Sequence, residues 1–140
     1  MSDERSRERL RRIAQLGQED IGSSEEGVKL KFIVELLECF GYNRYDLDFE
    51  SGRTDISLKN LPTDCKVIIE TKSYGSNLNN YQFISQLEDY CRKFSALIGV
   101  LANGTELRIY TPYMMGKSFE ASMLCRVKAE FSTGVRAPVG

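Results

Sequence analysis

Three residues in the middle of the chain have the side-chain types needed to hydrolyse a phosphodiester. Glu70 and Lys72 follow the apolar run 67–69 and are two residues apart, so on a β-strand both side chains project from one face. Asp55 lies on the preceding predicted strand, and neighbouring strands run roughly 4.8 Å apart. Two carboxylates can hold Mg²⁺, which polarises a phosphate and lowers the pKa of water, while a lysine orients or deprotonates that water. The pattern therefore predicts metal-assisted hydrolysis.

The spacing of these residues also fits a purely structural interpretation. Glu70 and Lys72 are common residue types, and together they would make a same-face ion pair at an exposed strand end. Asp55 would then cap local backbone near a turn. The surroundings favour the chemical interpretation, because the hairpin partner carries Asp55, a buried run precedes Glu70, and an acidic, capped helix start lies upstream.

The composition excludes several kinds of catalytic site. The chain has no histidine, so Ser-His-Asp triads, Cys-His dyads and histidine-ligated zinc sites are impossible. Carboxylates, lysines, tyrosines or a hard cation must do any chemistry. No C-x-x-C pair occurs, so the four cysteines are interpreted as reduced packing residues: Cys39, Cys65, Cys91 and Cys125.

Bulk properties indicate one soluble globular domain. Of the 140 residues 41% are hydrophobic and 28% charged, with a formal net charge of −1. No apolar run is long enough to cross a membrane and no leader segment is visible, so a cytoplasmic protein is expected.

Residues 4–12 hold five arginines against two glutamates. This segment predicts either a phosphate or partner contact, or a solvated, salt-bridged first helix.

Hydrophobic periodicity predicts an α/β fold with a central mixed sheet flanked by helices. Helices are expected at 3–20, from Ser23 to Gly41 with Ser23 and Glu26 forming a capping box, and at 79–94. Strands are expected at 45–50, 53–58, 65–72, 96–102 and 106–111, with an edge strand within 119–131. The predicted organisation is a basic helical arm at 1–22, a domain at 23–131, and a tail or linker at 132–140.

In this order and spacing, residues 24–112 resemble the PD-(D/E)xK nuclease superfamily. More narrowly, they are similar to the N-terminal nuclease domain of type I restriction enzyme motor subunits. The segments that carry the likeness are Glu25, Gly41-Tyr42, 52–56, 69–72, Gln86 to Tyr90, 99–104 and 109–110. Two features depart from the family: Thr54 stands where the proline of the motif would be, and no phosphate-binding translocase motif is present.

The resemblance implies a restriction-endonuclease-like fold and a Mg²⁺-dependent DNA endonuclease, with Mn²⁺ as an alternative cation. Asp55 and Glu70 would be metal ligands together with the Thr71 carbonyl, and Lys72 would be the catalytic lysine. Glu25, or Glu26 if the alignment slips by one residue, would be an auxiliary acid, and Gln86 would lie near the DNA backbone. Implied partners are DNA, restriction–modification subunits or an attached helicase or methylase region, and a second copy in a homodimer.

Two other functions remain open from the sequence. Non-specific DNA affinity requires a basic surface, and this chain is small and nearly neutral. These properties suit a module of the same fold that does not cut by itself, namely a catalytically silent nucleic-acid-binding or scaffold module. The basic first helix could instead mediate oligomerisation.

Overall fold

The computed structural model describes residues 3–39, 41–49, 56–58 and 66–128 of the chain. These residues form one six-stranded mixed sheet with helices on both faces, which confirms the predicted α/β architecture. The helices are α1 (Asp3–Ala14), α2 (Gln18–Ile21), α3 (Glu25–Val28), α4 (Val34–Cys39) and α5 (Tyr81–Lys93). The strands are β1 (Leu47–Phe49), β2 (Ile56–Leu58), β3 (Val67–Thr71), β4 (Ile98–Ala102), β5 (Glu106–Tyr110) and β6 (Met123–Lys128).

The strands lie in the sheet in the order in which they occur in the chain. Every neighbouring pair is antiparallel except β3 and β4, which are parallel and joined by the crossover helix α5. In the described register Ile56 of β2 is opposite Ile69 of β3. Strand β3 therefore lies inside the sheet with a strand on either side.

Each face of the sheet has its own apolar core. On one face α1 to α4 pack on side chains such as Ile56, Ile69 and Val100. On the other, α5 packs on Ile68 and Leu101. Because side chains alternate along a strand, Glu70 shares the α5 face with Ile68. Within the described ranges, no helix combines the length and apolar character needed to span a bilayer.

The first predicted helix is divided in the structure. Helix α1 ends at Ala14, and α2 begins after Gly17, whose extended backbone (φ −103°, ψ −174°) breaks the helical path. Helix α1 is attached to α4 by ion pairs of Arg9, whose Nη2 lies 2.6 Å from Glu35 Oε2 and 3.0 Å from Glu38 Oε1. Of the two interpretations of this helix, these contacts support the salt-bridged one.

The second predicted helix begins one residue later than expected. The Ser24 hydroxyl accepts the backbone N–H of Gly27 at 3.0 Å, so Ser24 is the N-cap and the predicted pairing of Ser23 with Glu26 is wrong. The Ser23 carbonyl instead accepts the N–H of Tyr74 at 3.1 Å. The helix then widens into a π-helical segment at Lys29–Ile33, which its apolar spacing did not reveal.

The predicted edge strand is β6, the last strand of the described sheet. All six of its side chains are exposed, including Leu124 and Val127, although the alternating apolar pattern suggested one buried face. Cys125 on this strand is exposed as well, so a packing role for it is wrong. Cys39 and Cys91 are buried as predicted, and Cys65 lies outside the described residues.

Candidate active site

The carboxyl end of β3 carries two charged residues inside the protein. Glu70 is 4% exposed and Lys72, which directly follows the strand, is 8% exposed. The apolar residues before them place β3 in the middle of the sheet, and the Lys72 backbone N–H extends the pairing by donating to the Ala102 carbonyl at 2.8 Å. The pairing of β3 with β4 and the cover of α5 thus bury both side chains.

The Lys72 ammonium is surrounded by three groups that favour a positive charge. Its Nζ lies 3.6 Å from Oε2 of Glu70. It donates a 3.1 Å hydrogen bond to Oε1 of Gln86, and it lies 4.7 Å from the centre of the Phe83 ring. A carboxylate, an amide oxygen and an aromatic face all attract a cation. These three contacts therefore hold the Lys72 Nζ beside Glu70.

Gln86 joins Lys72 to Tyr90 on α5. Because an ammonium only donates, the amide oxygen of Gln86 must face Lys72, and its nitrogen is then free to donate to the Tyr90 hydroxyl at 3.1 Å. The predicted substrate-side residue Gln86 is thus next to Lys72. Phe83 was not predicted, although its position three residues before Gln86 places both on one face of the helix.

The first turn of α3 lies against the end of β3. The buried Thr71 hydroxyl donates to the Glu25 carbonyl over 3.5 Å, the outer limit of a hydrogen bond. Both helix carboxylates are exposed, and Oε2 of Glu26 lies 3.1 Å from Nζ of Lys29. Of the two acids that the sequence could not separate, Glu25 is the one whose backbone contacts the strand end.

Asp55, the other predicted carboxylate, lies outside the described residues. In the sequence it directly precedes Ile56, the first described residue of β2. Within the part of the chain that the structure describes, no three acidic or sulfur-bearing side chains are grouped closely enough to hold a metal ion. Asp55, one of the predicted metal ligands, is not among those residues.

Tyr74, which follows β3, and Tyr81 and Tyr90, which lie on α5, occupy different surroundings. Tyr74 packs against the core beneath α1 to α4, and burial, with a smaller contribution from Asp20, raises the pKa of its hydroxyl. Tyr81 is 70% exposed at the start of α5. Tyr90 is partly buried and lines an open hollow along α5 together with Tyr81 and Gln86. Only Tyr90 of the three is hydrogen-bonded to a residue that contacts Lys72.

No protein-family model, curated protein or solved structure matches this chain.

Proposed function

We propose that the chain is a cytoplasmic, Mg²⁺-dependent DNA endonuclease module with a restriction-endonuclease-like fold. Asp55 and Glu70 hold the cation, and Lys72 is the catalytic lysine. The observation that carries this proposal is the buried contact between Lys72 Nζ and Glu70 Oε2, 3.6 Å apart, at the end of β3.

Burial is what favours a functional interpretation of this pair. An exposed strand-end ion pair would leave both groups in water, whereas the side chains here are 10% and 5% exposed. Removing two charges from water is costly, and apolar residues of similar size often give equal or greater stability. A pair of ionisable groups kept inside at a strand end is therefore more readily explained by chemistry than by folding stability.

The donor chemistry near β3 fits a hard cation. A buried carboxylate such as Glu70 is the ligand type that Mg²⁺ prefers, and no nitrogen or sulfur donor is needed. The proposal adds Asp55 and the Thr71 carbonyl as further oxygen ligands. When bound, the cation supplies charge relief at the phosphate and acidity to water.

The register of β2 and β3 supports the choice of Asp55. Ile56 is opposite Ile69, and both belong to the core beneath α1 to α4. Asp55 directly precedes Ile56 in the sequence, and Glu70 directly follows Ile69. The proposal requires these two carboxylates to share one cation on the α5 face.

The surroundings of Lys72 favour one of the two roles that the sequence left open. Glu70, Gln86 and Phe83 hold the Lys72 Nζ as a donor at the end of β3, so in this proposal Lys72 donates from Nζ to the negative charge that develops on the phosphate. Gln86 fixes the direction of the ammonium. In this mechanism Glu25, at the start of α3, is an auxiliary acid at the same strand end.

Recognition of a particular DNA sequence would come from elsewhere. The net charge is −1, and the arginines of the first helix include Arg9, which α4 engages, and Arg11, which lies 3.4 Å from Glu8. Neutral surfaces bind DNA weakly, and base contacts rather than phosphate contacts confer specificity. A restriction–modification subunit, an attached helicase or methylase region, or a second copy would supply the missing contacts.

Cleavage of supercoiled plasmid in Mg²⁺ tests the proposal. Wild type should nick or linearise the DNA, EDTA should abolish this, and Lys72→Ala should reduce the rate by at least about 100-fold. Lys66→Ala is the matched control, because Lys66 is an exposed lysine just before the same strand. Undiminished cleavage by Lys72→Ala would remove Lys72 from the mechanism.

A catalytically silent module of the same fold is the alternative, and the near-neutral charge favours it. Calorimetry with Mn²⁺ and Mg²⁺ separates the two functions. The nuclease proposal expects metal binding that Glu70→Gln weakens. A complete absence of binding by folded wild type would favour the silent module.

A further inference from the structure

The segment between β3 and α5 connects Lys72 to the residues that hold it. The chain leaves β3 at Lys72, turns through 73–80, and returns along α5 with Phe83 and Gln86 against the ammonium. Asn80 caps the helix by accepting the N–H of Gln82 at 2.9 Å. The position of α5 relative to Lys72 therefore depends on how this segment is fixed.

Two side chains from the β4–β5 hairpin hold the segment. The Asn103 side chain donates from Nδ2 to the Ser76 carbonyl at 2.6 Å, and the Asn103 backbone carbonyl accepts the N–H of Gly75 at 3.0 Å. Arg108 reaches the other end of the segment, donating to the Leu78 carbonyl at 3.2 Å and to Oδ1 of Asn79 at 2.9 Å. Arg108 is thus bound to the two residues that lie just before the helix cap.

Arg108 is itself buried and fixed by a carboxylate. Its Nε lies 2.6 Å from Oε2 of Glu106, and the same oxygen accepts Nε of Arg126 at 2.5 Å. Arg108 and Glu106 are only 5% and 7% exposed, whereas the Arg126 side chain is 47% exposed. A planar guanidinium held by its Nε presents its two remaining nitrogens in a defined direction. Those two nitrogens are the ones that contact the segment.

We infer that Arg108 is a positioning residue: by holding residues 78–79 it sets the start of α5, and thereby keeps Phe83 and Gln86 around Lys72. The sheet register agrees with this role, because Glu70 is opposite Leu101, and Leu101 is opposite Arg108, in one row across the α5 face. An effect of Arg108 on DNA cleavage rests on the proposed function, whereas its effect on the placement of Phe83 and Gln86 around Lys72 does not.

Carbon-13 NMR of protein labelled at lysine Cε tests the geometric consequence. The Phe83 ring face, 4.7 Å from Nζ, should move the Lys72 signal upfield. Lys72→Arg identifies that signal by removing it, and Phe83→Leu shows where the signal lies without the ring. Arg108→Met, confirmed as folded by circular dichroism, should lose most of the upfield displacement. The matched control is Arg126→Met, which removes a partner of the same Glu106 without touching the segment, and it should keep the displacement.

An unchanged Lys72 signal in folded Arg108→Met would overturn the inference. If that variant does not fold, Asn79→Ala decides instead, since it removes one hydrogen bond of Arg108 at an exposed position. In either variant, loss of the upfield displacement seen in wild type supports the positioning role, and a Lys72 signal at the wild-type position overturns it.

Plasmid cleavage supplies a second readout. Arg108→Met should lower kcat by about 10- to 100-fold with little change in KM, the effect of a misplaced group rather than of lost binding. If wild type does not cleave, the proposed function fails, while the NMR comparison still decides the role of Arg108.

Discussion

The ammonium nitrogen of Lys72 lies over the ring of Phe83, 4.7 Å from its centre. This contact joins the end of a central strand to the first turn of the crossover helix. It adds an aromatic contact to the ion pair that Lys72 makes with Glu70.

Replacing Phe83 with leucine should therefore loosen Lys72 while leaving a side chain of similar size. A desolvated cation–π contact contributes about 1–2 kcal/mol, so we expect a cleavage rate about fivefold to thirtyfold lower. Phe94→Leu is the control, because Phe94 lies beside Lys66 and Lys93 and away from the candidate site. Equal losses in both variants would show that the Phe83 effect is not specific to Lys72.

Ser24→Ala should destabilise the protein by about 1 kcal/mol, because the Ser24 hydroxyl caps α3. Ser23→Ala should change the stability by less than about 0.5 kcal/mol, since Ser23 contributes its carbonyl, which alanine retains. Urea denaturation of both variants measures the difference. The reverse order would reinstate the capping box predicted from the sequence.

Glu106→Gln should cost about 3 kcal/mol or more, because it leaves the buried Arg108 without its counter-charge. Burial by itself would raise the pKa of the Glu106 carboxyl, but the hydrogen bonds from Arg108 and Arg126 outweigh it and the pKa is lowered. Because the pKa of this carboxyl is lower in the folded than in the unfolded protein, its ionised form stabilises the fold at any pH above the unfolded-state pKa. That stabilisation is lost as the pH falls through the folded-state pKa. Wild type should therefore lose stability below about pH 4 more steeply than Glu106→Gln.

The control for this prediction is Glu88→Gln, which breaks the more exposed pair with Arg92. It should cost about 0.5 kcal/mol or less. Denaturant titrations from pH 3 to pH 7 compare the three proteins. Similar losses for the two substitutions would contradict the buried character of the Glu106 pair.

The Cys91 thiol should resist alkylation in the folded protein, while the exposed Cys125 should react. Burial raises the pKa of Cys91 to about 12, so almost no thiolate is present at pH 8. The same shift stabilises the fold fully below the unfolded pKa of about 8.5, and that contribution is lost as the pH rises toward about 12. Mass spectrometry after iodoacetamide treatment, with and without denaturant, locates the labels, and rapid labelling of native Cys91 would contradict its burial.

Gly99→Ala should destabilise the protein by about 1–3 kcal/mol through overpacking. A β-carbon at this position would lie 2.6 Å from the Cys91 sulfur and 3.1 Å from Leu87 Cδ1. In a Cys91→Ala background the same change should cost distinctly less, because the sulfur is gone. Additive losses in a urea double-mutant cycle would rule out this contact as the cause.

The sequence could predict the parts of the candidate site that depend on strand periodicity. Glu70 and Lys72 share a face because they are two residues apart, and the apolar residues before them indicate an interior strand. The contact of Lys72 with Phe83 depends instead on where the crossover helix docks, which no local pattern encodes. Asp55 stays a prediction, because its position is not described.

Two failures have physical causes that lie outside the local sequence. Charged side chains are normally exposed, so burial of Arg108 could not be expected without knowing that residues 78–79, some 30 positions away, would accept its hydrogen bonds. In β6 the alternation of apolar residues suggested a covered face. Cover depends on which helix packs there, and Val127 is 56% exposed.

The π-helical turn at Lys29–Ile33 has a consequence for the start of α3. Its wide hydrogen bond, from the Val34 N–H to the Lys29 carbonyl, accommodates one residue more than an α-helical turn would. Deleting one residue from this turn would restore α-helical geometry. If α4 stayed in place, the residues before the turn, including α3, would rotate about the helix axis by about 100° and shift toward α4 by about 1.5 Å. The Glu25 carbonyl would then move away from the Thr71 hydroxyl. The π-helical turn therefore determines which residue at the start of α3 contacts the end of β3.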